Sequence, residues 1–479
     1  MANAVIDTRL LPYAYSRDFS LLAQKTEGGP VEVWVSDATN PSAIAEVSRC
    51  YGRVRIKSMP CDELDAAIVK AYADSGGDAS KVNDEYESDL DLTKLLLDMP
   101  AVEDLLDSAD NAPVIRMINA LLTQALREGA SDIHIEPFEL ISEVRFRIDG
   151  SLRDVVRPNK AIHASLISRI KIMAQLDIAE KRLPQDGRIS LNVGGKKVDV
   201  RVSTLPTEFG ERVVMRLLDK NAGQLDLGNL GMSTEVLTQF DKLIAQPYGI
   251  VLVTGPTGSG KTTTLYAALS RLNQISTNIM TVEDPIEYQL NGISQTQVNH
   301  RIDMTFAKAL RAILRQDPDI IMIGEIRDPE TAQIAVQASL TGHLVLATLH
   351  TNDAAAAVTR LLDMGIEPFL LSSSLLGILA QRLVRKLCEH CKRQEGEFWQ
   401  AVGCELCGHT GFQGRVGVYE LLLTTDQIRA QIHNHASEAD IHATAQQDGM
   451  RTMHEDGRRW LADGTTTPAE LLRVTKEAG

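Results

Sequence analysis

The chain has 479 residues, enough for about three or four domains at roughly 100–200 residues each. Apolar residues make up 44% and charged residues 24%, a balance that excludes bulk disorder, and the length excludes a small disulfide scaffold. The 49 basic and 64 acidic residues leave a net charge of −15, which argues against a generally polybasic nucleic-acid binder but not against a local basic groove.

No apolar run approaches the roughly 20 residues of a membrane helix. The opening MANAVIDTRLLPYAYSRDF lacks a signal peptide's apolar core. A cytoplasmic protein is expected, recruited to a membrane if it works at one. Residues 1–72 read as a small mixed domain. VEVWV (Val31 to Val35) alternates like a strand, and Asp62 to Ala73 has helical spacing with Asp62 as N-cap. Residues 74–110 carry twelve Asp/Glu against two Lys and read as a flexible acidic linker, with a later stretch able to dock as a helix.

A second domain is expected from Ala112 to about Asp219. It opens with a helix and continues in short alternating runs, SDIHIEP, SEVRFRIDG, RISLNV and KKVDVRVSTL, with turns at Asp149-Gly150 and Gly194-Gly195. A Gly-rich polar joint, Asp219 to Ser233, follows. From about 234 to 387, strand and helix patterns alternate, which predicts a parallel sheet with crossover helices.

Gly255, Pro256, Thr257, Gly258, Ser259, Gly260, Lys261 and Thr262 satisfy GxxxxGK[ST], with Thr263 next. The strand GIVLVT precedes them and a helix pattern follows, the context a phosphate-binding loop requires. Backbone N–H groups and the helix N-terminus would cradle phosphates. Lys261 would reach the β- and γ-phosphates of ATP and the Thr262 hydroxyl would ligate Mg²⁺.

TVEDPIEY then supplies Glu283, Asp284 and Glu287. The strand Ile320 to Ile323 ends at Gly324-Glu325, placing a carboxylate where α/β sheets bind ligands, so Glu325 is the expected orienter of the attacking water. Gly324 stands where many P-loop enzymes carry a metal-holding Asp. His343 and His350 bracket the strand Leu344 to Thr348, and this pairing reads as phosphate sensing.

Of six cysteines, Cys388, Cys391, Cys404 and Cys407 form Cys-x₂-Cys-x₁₂-Cys-x₂-Cys. Two CxxC turns can aim four thiolates at one tetrahedral Zn²⁺, a closed structural site, with His390 and His409 outside a shell already full. A redox CxxC or an iron–sulfur site is the alternative. Cys50 and Cys61 are expected to be buried thiols. The chain beyond the cysteines reads as mostly helical.

The four nucleotide clusters, in this order, resemble the type II/type IV secretion ATPases: the GspE-type motor of type II secretion and its pilus-assembly and retraction relatives. The resemblance covers nearly the whole chain. ASDIHIEP (130–137), RIDG (147–150), LPQDGRIS (183–190) and GERVVMRLLD (210–219) match that family's second N-terminal domain. LPYAYSRDF and the four cysteines point to the GspE branch.

The resemblance implies a multidomain α/β protein. Its expected parts are a recruitment domain at 1–72, the linker at 73–111, a small PAS-like domain at 112–222, a RecA-like P-loop domain at 223–387, a zinc subdomain at 388–414 and a helical domain at 415–479. It implies a ring-shaped homohexamer in which neighbours complete each site. It also implies arginines that reach the nucleotide, at Arg201 and Arg216 by motif position, with Arg188, Arg311 and Arg315 as lesser candidates. Lys261, Glu325, Glu283, Glu287, His343 and His350 fill the remaining expected catalytic positions.

The implied partners are the cytoplasmic domain of a GspL-type inner-membrane component, a GspF-type platform protein and an acidic phospholipid surface, with no nucleic acid. The implied location is the cytoplasmic face of the inner membrane. The spacer EGEFWQAVG is shorter than the family's usual insert between the cysteine pairs. A pilus extension or retraction motor is the alternative within the family. A nucleic-acid translocase with a zinc ribbon is the alternative from another class, opposed by the charge balance.

Overall fold

The computed structural model describes residues 10–11, 16, 19–25, 30–37, 39–61, 64, 67, 112–193, 196–219 and 226–475. The expected linker, most of the 62–73 helix, the Gly194-Gly195 turn and residues 220–225 of the joint lie outside them. The chain divides into two compact units at Glu103/Asp104.

In the first unit, β1 (Leu21–Gln24) pairs antiparallel with β2 (Val31–Val35), and β2 pairs parallel with β3 (Val54–Ser58). The helix Pro41–Tyr51 makes the crossover between β2 and β3 and starts where the Asn40 side chain accepts from Ser42 N. Val31, Val33 and Val35 turn inward against Ala43 and Val47 of that helix. Cys50 and Cys61 correct the expectation of buried thiols, since both are exposed. The helix buries Ala43 and Val47; Cys50 continues the same stripe but lies in the last turn, beyond the last buried residue of the helix.

The second unit opens with the helix Ala112–Arg127 and an antiparallel six-stranded sheet. Its strands are β4 (Asp132–Pro137), β5 (Ser142–Ile148), β6 (Ser151–Val156), β7 (Gln185–Val193), β8 (Lys196–Thr207) and β9 (Gly210–Asp219), in the order β6-β5-β4-β9-β8-β7. Strand β5 reads in-out along its length: Val144 and Phe146 are buried, and Arg145 sits between them half-buried. The helix Lys160–Met173 buries Leu166, Ile167 and Ile170. Its Lys171 is paired with the buried Glu211 and donates to Glu180 O at 2.7 Å, so no buried ammonium is left unpartnered there.

The second sheet has seven strands. β10 (Gly249–Thr254), β11 (Ile279–Glu283), β12 (Ser294–Gln297), β13 (Ile320–Ile323), β14 (Leu344–Leu349) and β15 (Leu375–Leu387) are followed by a two-stranded hairpin, β16 (Arg393–Glu395) and β17 (Phe398–Gln400), and by β18 (Phe412–Leu423). The order is β12-β11-β13-β14-β10-β15-β18, parallel except for β18. This is the RecA-like sheet expected, with β10 between β14 and β15 and β13 on the far side of β14.

Burial on both faces explains the unbroken apolar strands. Val251 and Val253 face Leu265, Leu269 and Phe240 on one side. Ile250 and Leu252 face Ala332, Ala335 and Val358 on the other. The tail differs from the helical reading in its first dozen residues. Phe412–Leu423 pairs with β15 before the helices Asp426–His433, Glu438–Gln447, Met453–Ala462 and Pro468–Val474. The cysteine segment is therefore an insertion between two strands of the main sheet.

Candidate active site and metal centre

The loop after β10 wraps the N-terminus of the helix Lys261–Leu272. Gly255 has φ +147°, and a Cβ there would lie 2.5 Å from Gln381 O and 2.6 Å from Ser259 Oγ. Only glycine fits so close an approach of backbones. Lys261 folds over the loop, and its Nζ donates to Gly255 O at 2.8 Å and Pro256 O at 3.0 Å. Burial lowers its pKa to about 8, Glu325 opposing and Arg382 assisting. Thr262 and Thr263 sit half-buried on the first helical turn.

Gln381 of β15 holds the loop from behind. Its Nε2 donates to Ser259 O at 2.7 Å and its Oε1 accepts from Thr264 Oγ1 at 2.8 Å. No motif marks it, although a glutamine in the apolar run LLGILAQRLV is a visible signal of a buried polar role.

Glu325 follows β13, mostly buried, at the same sheet end as the loop. Arg327 Nη2 lies 2.5 Å from Glu325 Oε1, and His350 Nε2 lies 3.4 Å from Oε2. Burial, then the Lys261 charge, lowers the His350 pKa, so at neutral pH the imidazole is uncharged. Arg327 is a site residue beyond those expected from sequence, although it stands in the same GEIRD run. A Cβ at Gly324 would come within 3.2 Å of Glu283 Cα and Val282 O, so this strand end has little room for the Asp of other P-loop enzymes.

Two expectations are corrected. His343 lies at the opposite end of β14, its backbone carbonyl accepting from Gly249 N and its Nδ1 2.8 Å from Ala338 O. The strand between it and His350 spans about 20 Å at roughly 3.3 Å per residue, so the pair does not share a site. Glu283 is buried and committed: it accepts from Tyr266 Oη, from Thr281 Oγ1 at 2.6 Å and from Gln295 Nε2 at 3.0 Å. It shapes the wall under the acidic box, with each carboxylate oxygen already accepting from a protein donor.

Of the small domain's arginines, Arg201 meets that acidic box. Arg201 Nη1 lies 3.2 Å from Glu287 Oε2, and its Nη2 donates to Ile286 O at 2.5 Å. Arg188 Nη2 donates to Gln297 Oε1 at 3.4 Å, and Arg216 Nε donates to Asp132 Oδ1 at 2.8 Å. Arg188, Arg201, Arg216 and Asp284 line one cleft of about 550 Å³. Arg311 instead pairs with Glu330, and Arg315 donates to Arg311 O, both outside that cleft. Among the described residues, Ser259 Oγ, Arg201 Nε and Arg382 Nε are buried without a protein partner. Ser259 and Arg382 line the cavity beside the phosphate loop, where such donors fit an anionic ligand such as ATP, and Arg201 lines the separate arginine cleft.

The four cysteine sulfurs lie within 4.8 Å of one another. Cys388 to Cys404 is 3.9 Å, and Cys391 to Cys407 and Cys404 to Cys407 are each 3.8 Å. A tetrahedron with metal–sulfur bonds of about 2.3 Å has edges of about 3.8 Å, so the donor set fits Zn²⁺. Burial raises the Cys407 thiol, but N–H donation from Cys404 and Gly411 outweighs it and holds the pKa at about 6. Burial and three sulfur neighbours push the Cys391 thiol up to about 12.

A parallel sheet with a phosphate loop after an interior strand, a strand-end glutamate and arginines supplied by a second lobe defines a P-loop NTPase. The chain belongs to the type II/IV secretion ATPases. The profile "Type II/IV secretion system protein" matches residues 107–473, and the profile of an N-terminal domain of "GSPII protein E" matches residues 10–72. "Type II secretion system protein HxcR" of Pseudomonas aeruginosa is 64% identical over 469 residues, covering 98% of this chain and 100% of the relative. "Type II secretion system protein E" of Klebsiella pneumoniae is 53% identical over 484 residues, covering 98% and 97%. Among solved structures, "Pilus Retraction Motor PilT and Bound ADP" is 28% identical with a TM-score of 0.53, covering 75% of this chain and 97% of that one.

Proposed function

We propose that this chain is the ATP-hydrolysing motor of a type II secretion system. The observation that carries the reading is the meeting of Lys261, Glu325 and His350 at one end of β10, β13 and β14. The phosphates of ATP would take the place the loop carbonyls now occupy on Lys261, and the Thr262 hydroxyl would hold Mg²⁺, which supplies charge neutralisation on the phosphates. Glu325, mostly buried and flanked by His350 and Arg327, would orient the attacking water. Neutral His350 can donate to a phosphate or to Glu325 without adding a charge that opposes Lys261. Arg201 and Arg216 would leave Glu287 and Asp132 to meet the nucleotide, in a ring where neighbouring subunits complete each site.

Hydrolysis would change the loop's contacts and shift the small domain against the P-loop domain. That movement would pass to the membrane components and extend a pseudopilus. Residues 1–72 would bind the cytoplasmic domain of a GspL-type inner-membrane component, which would hold the motor peripherally at that membrane, near a GspF-type platform and acidic phospholipid. The profile match over residues 10–72 supports this branch over a pilus motor. Zn²⁺ held by Cys388, Cys391, Cys404 and Cys407 would be structural. The test is phosphate release by the full chain with and without the GspL-type cytoplasmic domain. Stimulation that disappears when residues 1–72 are deleted supports the reading, and a partner without effect argues against it.

A further inference from the structure

The turn between β5 and β6 is tied to the root of the cysteine hairpin. Asp149 has φ +49° and Gly150 φ +83°, and Arg147 Nη1 donates to Gly150 O at 2.8 Å, fixing the turn's shape. Asp149 Oδ2 accepts from Gly414 N at 2.7 Å, and Arg415 Nε lies 3.5 Å from Oδ1. One strand over, Arg385 Nη1 donates to Ser151 Oγ at 3.4 Å. Arg385 is itself held by Glu470 at 2.8 Å and lies over the Phe412 ring at 4.2 Å. The cysteine cluster begins three residues back from Gly414: Gly411 N donates to Cys407 Sγ at 3.2 Å, and its carbonyl accepts from Cys388 N.

The same turn forms part of a cavity. Asp149 and Gly150 line a space of about 850 Å³ together with Pro256 to Ser259 of the phosphate loop, Arg382 and Arg415. One wall therefore comes from the small domain, and a carboxylate holds that wall in place against a strand of the main sheet. One hydrogen bond from a backbone N–H and one guanidinium 3.5 Å away converge on this half-buried carboxylate, partners that a fully solvated surface Asp does not need.

We propose that Asp149 is a positioning residue for nucleotide binding: it latches the β5–β6 turn to Gly414 and Arg415, and so keeps the cavity beside the phosphate loop closed on the small-domain side. This rests on the reading that the loop binds a nucleoside triphosphate. The latch acts through Gly414 and Arg415, while Lys261 and Glu325 act on the phosphates.

The test is titration of the full chain with a fluorescent ATP analogue and Mg²⁺, alongside steady-state ATP hydrolysis. Asp149→Ala should weaken binding by roughly tenfold, as expected for one partly buried charge-assisted hydrogen bond. The KM for ATP should rise by a similar factor with kcat changed by less than about twofold, since the reacting groups are untouched. Asp149→Asn keeps an acceptor for Gly414 and loses the charge facing Arg415, so it should fall between, roughly threefold weaker. Asp149→Ala binding the analogue as tightly as wild type overturns the proposal. If that variant does not fold, Asp149→Asn binding like wild type overturns it equally. A wild-type chain that binds no analogue would instead overturn the reading of the phosphate loop, and the latch with it.

Discussion

Gln381 Nε2 donates to the carbonyl of Ser259 at 2.7 Å, so a strand more than a hundred residues downstream holds the phosphate loop in shape. The same amide accepts from Thr264 on the helix that follows the loop, which joins both ends of the cradle to β15. Gln381 is 1% exposed, and replacing it leaves two buried polar groups without partners. Gln381→Ala should cost about 1–3 kcal/mol of stability per orphaned group and weaken nucleotide binding. Thermal unfolding together with analogue titration checks both. Wild-type values in the two would show that the loop keeps its shape unaided.

Lys261 gives a pH dependence with a definite sign. Burial holds its pKa at about 8 in this fold, below the ordinary lysine value. Anionic phosphate selects the ammonium form, so above about pH 8 binding must take up a proton. Affinity should be flat from about pH 6.5 to 7.5 and fall as pH rises beyond about 8, by up to about tenfold per unit. The same shift acts on folding. The unfolded lysine binds its proton more tightly, so this group's contribution to stability increases with pH between about 8 and the ordinary lysine value. Calorimetry at about pH 8.5 in buffers of different ionisation enthalpy measures the proton uptake. Equal heats in all buffers would contradict it.

The phosphate loop, the strand before it, Glu325 and the cysteine cluster are legible in the sequence because each is local: a short motif with a required neighbour. His343 shows the limit of that method. His343 and His350 are symmetric about one strand in sequence, and a parallel strand puts its two ends on opposite edges of the sheet. Glu283 shows a second limit, because only the packed structure reveals that Tyr266, Thr281 and Gln295 take up its oxygens. Strand β18 is hard to read because it follows an insertion, and its partner β15 lies before the cysteines. Gln381 has no motif and is defined wholly by what it touches.

The arginines of the small domain should act on chemistry and leave folding intact. Arg201 is drawn to Glu287 and Ile286 O here, and Arg216 to Asp132, all at or near the cleft rim. Arg201→Ala or Arg216→Ala should cut ATP turnover by about a thousandfold or more, the range for arginines that neutralise a transferred phosphoryl group. Mixing each variant with Lys261→Ala tests whether the arginine works across subunits: recovered turnover in the mixture supports a shared site. Wild-type rates in both single variants would remove the two residues from the mechanism.

Metal removal should act locally first. A four-thiolate zinc site contributes on the order of 10–16 kcal/mol of apparent binding energy, far more than the short β16–β17 hairpin could supply alone. Chelation, or Cys388→Ser, should raise amide exchange across 388–411 before the main sheet loosens. Elemental analysis should find one zinc per chain in wild type. Exchange that stays unchanged after complete zinc removal would argue against a structural metal.

The most direct measurement is single-turnover hydrolysis of Mg·ATP by the full chain, read beside binding of the same nucleotide. Wild type should bind and hydrolyse, Lys261→Ala should do neither, and Glu325→Gln should bind normally while turnover falls by at least about a hundredfold. Glu325→Gln hydrolysing at the wild-type rate would contradict the account.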